Sequence, residues 1–144
     1  MTDRRLTDHA ALLLRTSMGI MFLAHGIILK YLTFTPAGTA QYFESIGYPG
    51  FTAYAVIAGE AIGGLFLLAG YKVRFVALAF IPLLVGATLQ HIGNGWVFSA
   101  QDGGYEFPAF WTVALVVQAL LGAGSYAVDT MDASAKQQSP ALAL

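Results

Sequence analysis

Four long apolar stretches alternate with short polar segments along this chain and define its predicted elements. The apolar stretches cover residues 10–29, 51–70, 75–92 and 107–128. Each approaches the roughly 20 residues that an α-helix needs to cross the hydrocarbon core of a bilayer. The pattern therefore predicts an all-α integral membrane protein, a bundle of four transmembrane helices joined by short connections.

The composition agrees with this pattern and excludes several classes of function. Only 10% of the residues are charged, against about 25% in soluble domains. The net charge of −1 without any basic cluster argues against nucleic acid as a partner. The chain has no cysteine, which excludes disulfides, thiolate nucleophiles and Cys-ligated metal clusters. We predict no metal site.

The basic residues near the ends of the spans predict the orientation. One side has Arg4, Arg5, Lys72, Arg74 and Lys136, and the other has only Lys30. Because basic loops favour the cytoplasm, we expect both termini to be cytoplasmic. The length of the first stretch, with Arg15 inside it, favours a retained helix over a cleaved signal peptide. We assign residues 1–130 to one transmembrane domain and 131–144 to a flexible cytoplasmic tail.

The two predicted outer connections have their own patterns. Thr35 and Pro36 are typical of a helix start, and Gly47 is typical of a helix end, so a short interfacial helix is expected between them. The aromatic residues on either side of Gly103 and Gly104 predict a small hairpin over residues 96–107.

Small residues predict where the helices pack closely, because helix association in lipid depends on close backbone approach. Span two contains Gly59, Gly63 and Gly64, and span four contains Ala119 and Ala123. This pattern is common in unrelated membrane helices, so we interpret it as structural.

Ionisable residues inside the spans require an explanation, since each costs about 2.5–3.5 kcal/mol on insertion scales. Glu60 lies near the middle of span two, and Arg15 and His25 lie in span one. Two interpretations of Glu60 stay open at this stage. Either Glu60 forms a structural ion pair with Arg15, or it binds a substrate or transfers a proton.

A polar and aromatic pocket is expected in the outer half of the bundle. His25, Lys30, His91, Trp96 and Glu106 should converge there. Histidine beside a carboxylate can transfer protons near neutral pH, and an aromatic wall can hold a flat ring, so quinone is the predicted cofactor. We predict catalytic roles for Glu60, His25 and His91, and ligand contacts from Arg15, Lys30, Gln90, Trp96 and Glu106. Haem b bound by His25 and His91 is disfavoured, because the two differ in depth.

The residues also resemble the DoxX family of small four-helix membrane proteins over nearly the whole chain. The resemblance rests on Arg15, Gly19, Phe22, His25, Gly26 and Lys30 in span one, on Gly47, Pro49, Glu60, Gly63, Gly70 and Arg74 around span two, and on Glu106, Gly122, Gly124 and Asp129 around span four. One departure is Ala123, where many family members have proline. The resemblance implies a bacterial or archaeal inner-membrane protein, often linked to quinone-dependent oxidoreductases.

Three functional hypotheses remain from the sequence. The leading one is a subunit of a quinone-linked oxidoreductase system that binds quinone or another small lipophile. The second is a proton-coupled exporter that uses Glu60. The third is a non-catalytic anchor or assembly subunit for a redox partner. The expected partners are membrane lipid and a membrane redox subunit, and a homo-oligomer is also an open alternative.

Overall fold

The computed structural model describes residues 2–130, apart from the side chain of Thr2, and this part of the chain contains helices and no strands. The predicted tail, 131–144, lies outside the described residues. The helices are α1 (Thr2–Leu23) with a π-helical continuation (Ala24–Thr33), α2 (Pro36–Ser45), α3 (Phe51–Ala69), α4 (Val73–His91), a short 3-10 turn (Ile92–Asn94) and α5 (Glu106–Leu121).

The prediction of an all-α membrane bundle is confirmed. Three helical segments are long and apolar enough to cross a membrane, namely Asp3–Thr33, Phe51–Ala69 and Val73–Asn94. The fourth, α5, is apolar but has only 16 residues. At 1.5 Å per residue it is about 24 Å long, somewhat less than the hydrocarbon core of about 30 Å.

The predicted end of the fourth span is wrong. Helix α5 ends at Leu121, seven residues before the apolar stretch does, because Gly122 has a φ of +76° and leaves the helical conformation. The residues after it fold back onto the bundle. Ala127 is buried there, and the N–H of Asp129 donates to the carbonyl oxygen of Gly70 at 3.2 Å.

Two ends of the bundle can be distinguished. At the turn end, residues 70–72 join α3 to α4, and Gly70 and Lys72 both have positive φ. The first half of α1 and residues 122–130 also lie at this end. The loop end contains residues 93–105. The two ends of the described chain therefore lie on the same side of the bundle, as four spans require. That this side is cytoplasmic is a prediction from the positions of the basic residues.

The packing is uneven and leaves space at the loop end. Helix α1 packs mainly on α3, and α4 packs mainly on α5. Despite the tight turn that joins them, α3 and α4 contact each other little. The core between the two pairs contains the rings of Phe22, Phe80 and Trp111. Phe22 stacks on Phe80 with centroids 4.0 Å apart and packs at a tilt against Trp111, with centroids 4.5 Å apart.

A close backbone contact occurs at Gly64, as predicted, whereas Gly63 packs against the Phe80 side chain and Gly59 makes no close contact. A Cβ on Gly64 would lie 2.9 Å from the Gly19 carbonyl oxygen, and one on Gly63 would lie 2.4 Å from the Phe80 ring. A Cβ on Gly59 would meet nothing within 4 Å. The prediction for Gly59 is therefore wrong, and Gly19 of α1 is the residue that α3 packs against.

The glycine pair gives a matched test of this contact. We expect Gly19→Ala to lower the free energy of unfolding by about 1–3 kcal/mol, because its Cβ would lie 2.8 Å from the Gly64 carbonyl oxygen and the backbones must separate. Gly59→Ala should be neutral or slightly stabilising, since alanine favours helix more than glycine does. Unfolding in sodium dodecyl sulfate, followed by circular dichroism, measures both. Equal effects of the two variants would contradict the contact.

Of the two predicted connections, one is confirmed and one is wrong. Helix α2 begins as predicted, with the Thr35 hydroxyl oxygen accepting a hydrogen bond from the N–H of Gly38 at 3.2 Å. The predicted hairpin is instead a strandless loop over residues 95–105. Backbone bonds from Tyr105 to Gly95 and from Glu106 to Trp96 close the loop. The tight turns lie earlier than predicted, between residues 97 and 103, so Gly104 packs against backbone instead of turning.

Candidate functional site

A cavity of about 450 Å³ lies in the loop-end half of the bundle, where α3 and α4 diverge. The π-helical segment and helices α2, α3, α4 and α5 contribute to its wall, and most of the wall is apolar. The lining residues include five of the predicted site residues, namely His25, Lys30, Glu60, Gln90 and His91. Ligand cavities are commonly apolar with a few convergent polar groups, so this is the candidate site.

An ion pair forms the charged part of the cavity wall. The Lys30 ammonium donates to both oxygens of the Glu60 carboxylate, at 2.9 Å to Oε1 and 2.8 Å to Oε2. Glu60 is buried, whereas the Lys30 side chain is 20% exposed. The predicted pairing of Arg15 with Glu60 is therefore wrong, because Lys30 is the cation that neutralises this carboxylate.

The π-helical segment explains how Lys30 reaches Glu60. A π-helix closes its hydrogen bonds over five residues instead of four, so residues five apart come to lie nearly one above the other. His25 and Lys30 are five apart within this segment, and both line the cavity. Gly26 brings the segment close to α3, since a Cβ there would lie 2.9 Å from the Glu60 Cβ. No signal in the sequence predicts the π-helix.

Two histidines line the cavity, and in each the Nδ1 atom is hydrogen-bonded to a backbone carbonyl oxygen. The His25 Nδ1 lies 2.9 Å from the Met21 carbonyl oxygen, and the His91 Nδ1 lies 3.0 Å from that of Gly103. A carbonyl can only accept, so Nδ1 is the protonated nitrogen in both rings. Nε2 of each ring is then free to accept a hydrogen bond from a ligand, or to donate one when the ring is charged.

Aromatic side chains make up the end wall of the cavity. Trp111 of α5 packs edge-on against His25, with centroids 5.0 Å apart, and lies 5.6 Å from Phe107. Its indole Nε1–H is buried without a hydrogen-bond acceptor among the described residues. Trp111 is not among the predicted site residues. In an apolar span, the sequence does not indicate whether an aromatic residue faces the cavity, the core or lipid.

Helix α2 and the residues after it cover the remaining side. Tyr42, Phe43, Ile46 and Tyr48 line the cavity from there. The Gln90 side-chain amide donates to the Tyr48 hydroxyl at 3.2 Å, which links α4 to this cover. Gln90 therefore lies at the rim, as predicted, but its amide is already engaged with Tyr48.

Three predicted site residues lie outside the cavity. Trp96 is largely exposed and packs edge-on against Tyr105. The Glu106 carboxylate accepts the N–H of Phe98 at 2.8 Å and thereby holds the loop in place. Both line a separate surface groove. They do not join the other residues, because loop 95–105 folds beside α5 and not over the cavity.

Arg15, the third residue outside the cavity, links α1 to α3 and to the residues after α5 at the turn end of the bundle. Its guanidinium donates to the carbonyl oxygens of Leu67 at 2.8 Å and Leu68 at 2.5 Å, and also to that of Tyr126. The first two oxygens belong to the last turn of α3, where carbonyls lack the donors of a continuing helix. That of Leu67 also accepts the N–H of Gly70 at 3.3 Å. Arg15 is buried, with only 2% of its surface exposed. It is thus a structural clamp at the turn end.

Comparison with known proteins identifies the family. The DoxX family model matches residues 10–93, more than half of the chain. The chain belongs to the DoxX family. The matched range holds both partners of the ion pair and both cavity histidines. It ends before Trp96 and Glu106, two of the three predicted site residues that lie outside the cavity.

Two curated members of known name are similar to the chain. "Putative oxidoreductase CatD" of Bacillus subtilis (strain 168) is 42% identical over 78 residues, which is 54% of this chain and 56% of CatD. "Inner membrane protein YqjF" of Escherichia coli (strain K12) is 32% identical over 133 residues, 89% of this chain and 95% of YqjF. The chain thus spans about half of CatD and nearly all of YqjF. No solved structure matches it.

The DoxX resemblance in span one divides between two structural roles. Arg15 and Gly19 serve the packing of α1 on α3, and His25 and Lys30 serve the cavity. Phe22 lies between the two groups and packs its ring against those of Phe80 and Trp111. The motif therefore follows one face of a single continuous helix.

Proposed function

We propose that this DoxX protein is a membrane component of a quinone-linked oxidoreductase system and binds a quinone, or another small flat lipophile, in the cavity. The observation that carries the proposal is the cavity itself, where an aromatic wall, an ion pair and two histidines meet within the membrane-spanning bundle. The name "Putative oxidoreductase CatD" is consistent with the redox part of the proposal. We also propose an inner-membrane location, as the name of YqjF states for that protein.

The residues present fit a quinone head group. A volume of about 450 Å³ lies within the usual range for small-molecule sites. The rings of Trp111 and Phe107 offer a surface for stacking, and Nε2 of His25 and His91 can exchange hydrogen bonds with oxygens on the ring. A quinone, when bound, supplies reversible uptake of electrons and protons. The two histidines hold or release a proton at Nε2, and Lys30 pairs with both oxygens of Glu60, so that no external cation is needed there.

The exporter hypothesis requires a carboxylate that exchanges a cationic substrate for protons. Here Lys30 already occupies both oxygens of Glu60, which favours the quinone proposal. Uptake of cationic dyes driven by a pH gradient in vesicles would support the exporter instead. An anchor without ligand binding is the third alternative, and the binding experiment below separates it.

Replacing His25 tests the proposal directly. We expect His25→Ala to weaken binding of menadione, a methylated naphthoquinone, about fivefold to tenfold, because one hydrogen bond and one ring contact are lost. Equilibrium dialysis of the protein in lipid nanodiscs, with protein-free nanodiscs as the blank, measures the affinity. The chain has three histidines. His9 lies at the turn end against Tyr126, so His9→Ala is the matched control and should leave binding unchanged. No saturable binding to the parent protein would refute the proposal and favour the anchor.

A further inference from the structure

Three residues that support the DoxX resemblance have no role in the cavity. Arg74 lies at the start of α4, and Gly122 and Asp129 follow the end of α5, yet all three line one groove of about 350 Å³ at the turn end of the bundle. The wall of this basic groove includes Lys72, Arg74, Phe75, Leu121, Gly122 and Asp129. Two distant parts of the chain thus form a second concave site, at the opposite end from the cavity.

Arg74 reaches into the groove across the backbone of Gly122. A Cβ on Gly122 would lie 2.9 Å from the Arg74 Nε, so a side chain there would displace the guanidinium. An arginine beside the end of a helix often caps the last carbonyl oxygens. Arg74 does not, because its guanidinium makes no hydrogen bond and no ion pair with any residue from 2 to 130. Its N–H donors are therefore available to a ligand.

The basic groove has an excess of positive charge. Besides Arg74 it contains the Lys72 ammonium, which lies 5.3 Å from the centroid of the Tyr71 ring and forms no ion pair within the described part of the chain. Its one carboxylate, that of Asp129, is not within ion-pair distance of either cation. The remaining positive charge favours an anionic ligand. A planar guanidinium can bind two oxygens of one phosphate group at the same time.

The position of the groove indicates that such a phosphate belongs to a lipid. Lys72 lies between the end of α3 at Ala69 and the start of α4 at Val73. The ends of spanning helices lie where the headgroup region of a bilayer begins. Leu121 and Phe75 form the apolar part of the groove, and Phe75 is 71% exposed. Cations beside exposed apolar side chains suit a molecule that joins a phosphate to hydrocarbon chains.

We propose that the basic groove binds the headgroup of an anionic phospholipid, with Arg74 donating hydrogen bonds to the phosphate oxygens and Lys72 supplying a second positive charge. Basic pockets between membrane helices bind lipid headgroups in this way. The proposal concerns the turn end alone and does not depend on what the cavity binds. If the turn end is cytoplasmic, as predicted, the lipid comes from the cytoplasmic leaflet.

Native mass spectrometry of the protein in detergent micelles tests the proposal. The probes are dioctanoyl phosphatidylglycerol, which is anionic, dioctanoyl phosphatidylcholine, which is zwitterionic, and inorganic phosphate. We expect phosphatidylglycerol to bind saturably, at one molecule per chain, and about tenfold more tightly than phosphatidylcholine, since only its phosphate is free of a covalently linked cation. Inorganic phosphate should not displace it, because phosphate has no hydrocarbon to contact Phe75 and Leu121.

Substitution of Arg74 measures the contribution of the guanidinium. We expect Arg74→Gln to weaken phosphatidylglycerol binding about tenfold, because hydrogen bonds between charged groups are lost. Arg74→Lys keeps the charge without the planar fork and should fall between the parent and Arg74→Gln. Asp129→Asn removes the negative charge from the groove and should bind phosphatidylglycerol more tightly than the parent does.

Arg5→Gln is the matched control for Arg74→Gln. Both arginines are exposed and lie at the turn end, but Arg5 is outside the groove. The two substitutions change the net charge equally, and Arg5→Gln should bind phosphatidylglycerol within about twofold of the parent. Because Arg74 is exposed, Arg74→Gln should also unfold in sodium dodecyl sulfate at the detergent fraction of the parent.

Hydrogen–deuterium exchange locates the bound lipid without any substitution. Phosphatidylglycerol should slow exchange in peptides that cover residues 70–78 and 121–130. Exchange in loop 95–105, at the other end of the bundle, should stay unchanged. Phosphatidylcholine at the same concentration should slow neither region.

Three results would overturn the proposal. Equal affinities for the two lipids would mean that the groove does not recognise the charge of the headgroup. Equal losses in Arg74→Gln and Arg5→Gln would mean that only the overall surface charge matters. Displacement of phosphatidylglycerol by inorganic phosphate would mean that the groove is a site for free anions. None of these results concerns menadione binding in the cavity, so the proposed function is tested separately.

Discussion

The Arg15→Leu variant is expected to lose about 3 kcal/mol or more of unfolding free energy, the largest loss among the substitutions considered. Arg15 donates to three carbonyl oxygens on two separate segments, α3 and the stretch after α5. Hydrogen bonds from a charged donor contribute about 1.5–3 kcal/mol each, and lipid offers no water to replace them. Titration with sodium dodecyl sulfate, followed by circular dichroism, measures the loss.

Two further substitutions make the Arg15 test specific. Arg5→Leu removes an exposed arginine from the same helix and should stay within about 0.5 kcal/mol of the parent. Arg15→Lys keeps the charge but has no planar fork to reach all three oxygens, so an intermediate loss is expected. If Arg15→Leu unfolds at the same detergent fraction as Arg5→Leu, the clamp at the turn end does not stabilise the fold.

The second large effect concerns the ion pair in the cavity. We expect Lys30→Met and Glu60→Met each to lose about 3 kcal/mol, because each leaves its partner buried without the opposite charge. The double variant Lys30→Met/Glu60→Met should lose less than either single variant. Methionine has a similar length to both side chains, and replacement of a whole buried pair by apolar groups is often nearly neutral.

The double-variant comparison distinguishes pairing from packing. The same detergent titration applied to all three variants gives the coupling energy between the two positions. Losses that simply add would mean that Lys30 and Glu60 act independently, contrary to the distances of 2.8 and 2.9 Å between them. Val56→Met, at another position in the cavity wall on α3, controls for the presence of a methionine side chain in the cavity.

Much of the fold follows from the sequence alone. The lengths of the apolar stretches predict the spans, since a bilayer imposes one element length on all of them. The cap at Thr35 predicts the start of α2, because that signal is local. The fourth span was predicted too long, because the residues after Gly122 are still apolar. Hydropathy does not detect a change of backbone direction between buried residues.

Most of the predicted site residues line the cavity, but the predicted partner of its buried carboxylate is wrong. A structural ion pair was one of the two interpretations left open for Glu60, with Arg15 named as the partner, whereas the structure pairs Glu60 with Lys30. Arg15 is committed to the carbonyls that end α3, a demand that arises only once the helix ends are in place. The convergence of His25, Lys30 and His91 was predicted because the spans alternate in direction. Trp96 and Glu106 were wrongly expected in the same cavity, because hydropathy does not predict the path that a loop takes.

In the π-helix between Ala24 and Thr33, the number of residues between two side chains decides whether both face the cavity, so spacing matters as much as residue identity. A segment that closes over five residues contains one more residue per turn than its neighbours, and such segments often occur at functional sites. When relatives are aligned, we expect a one-residue gap here to separate chains that can join this lysine to the buried carboxylate from chains that cannot. A gap that would be trivial in a loop thus becomes a criterion for sorting the family.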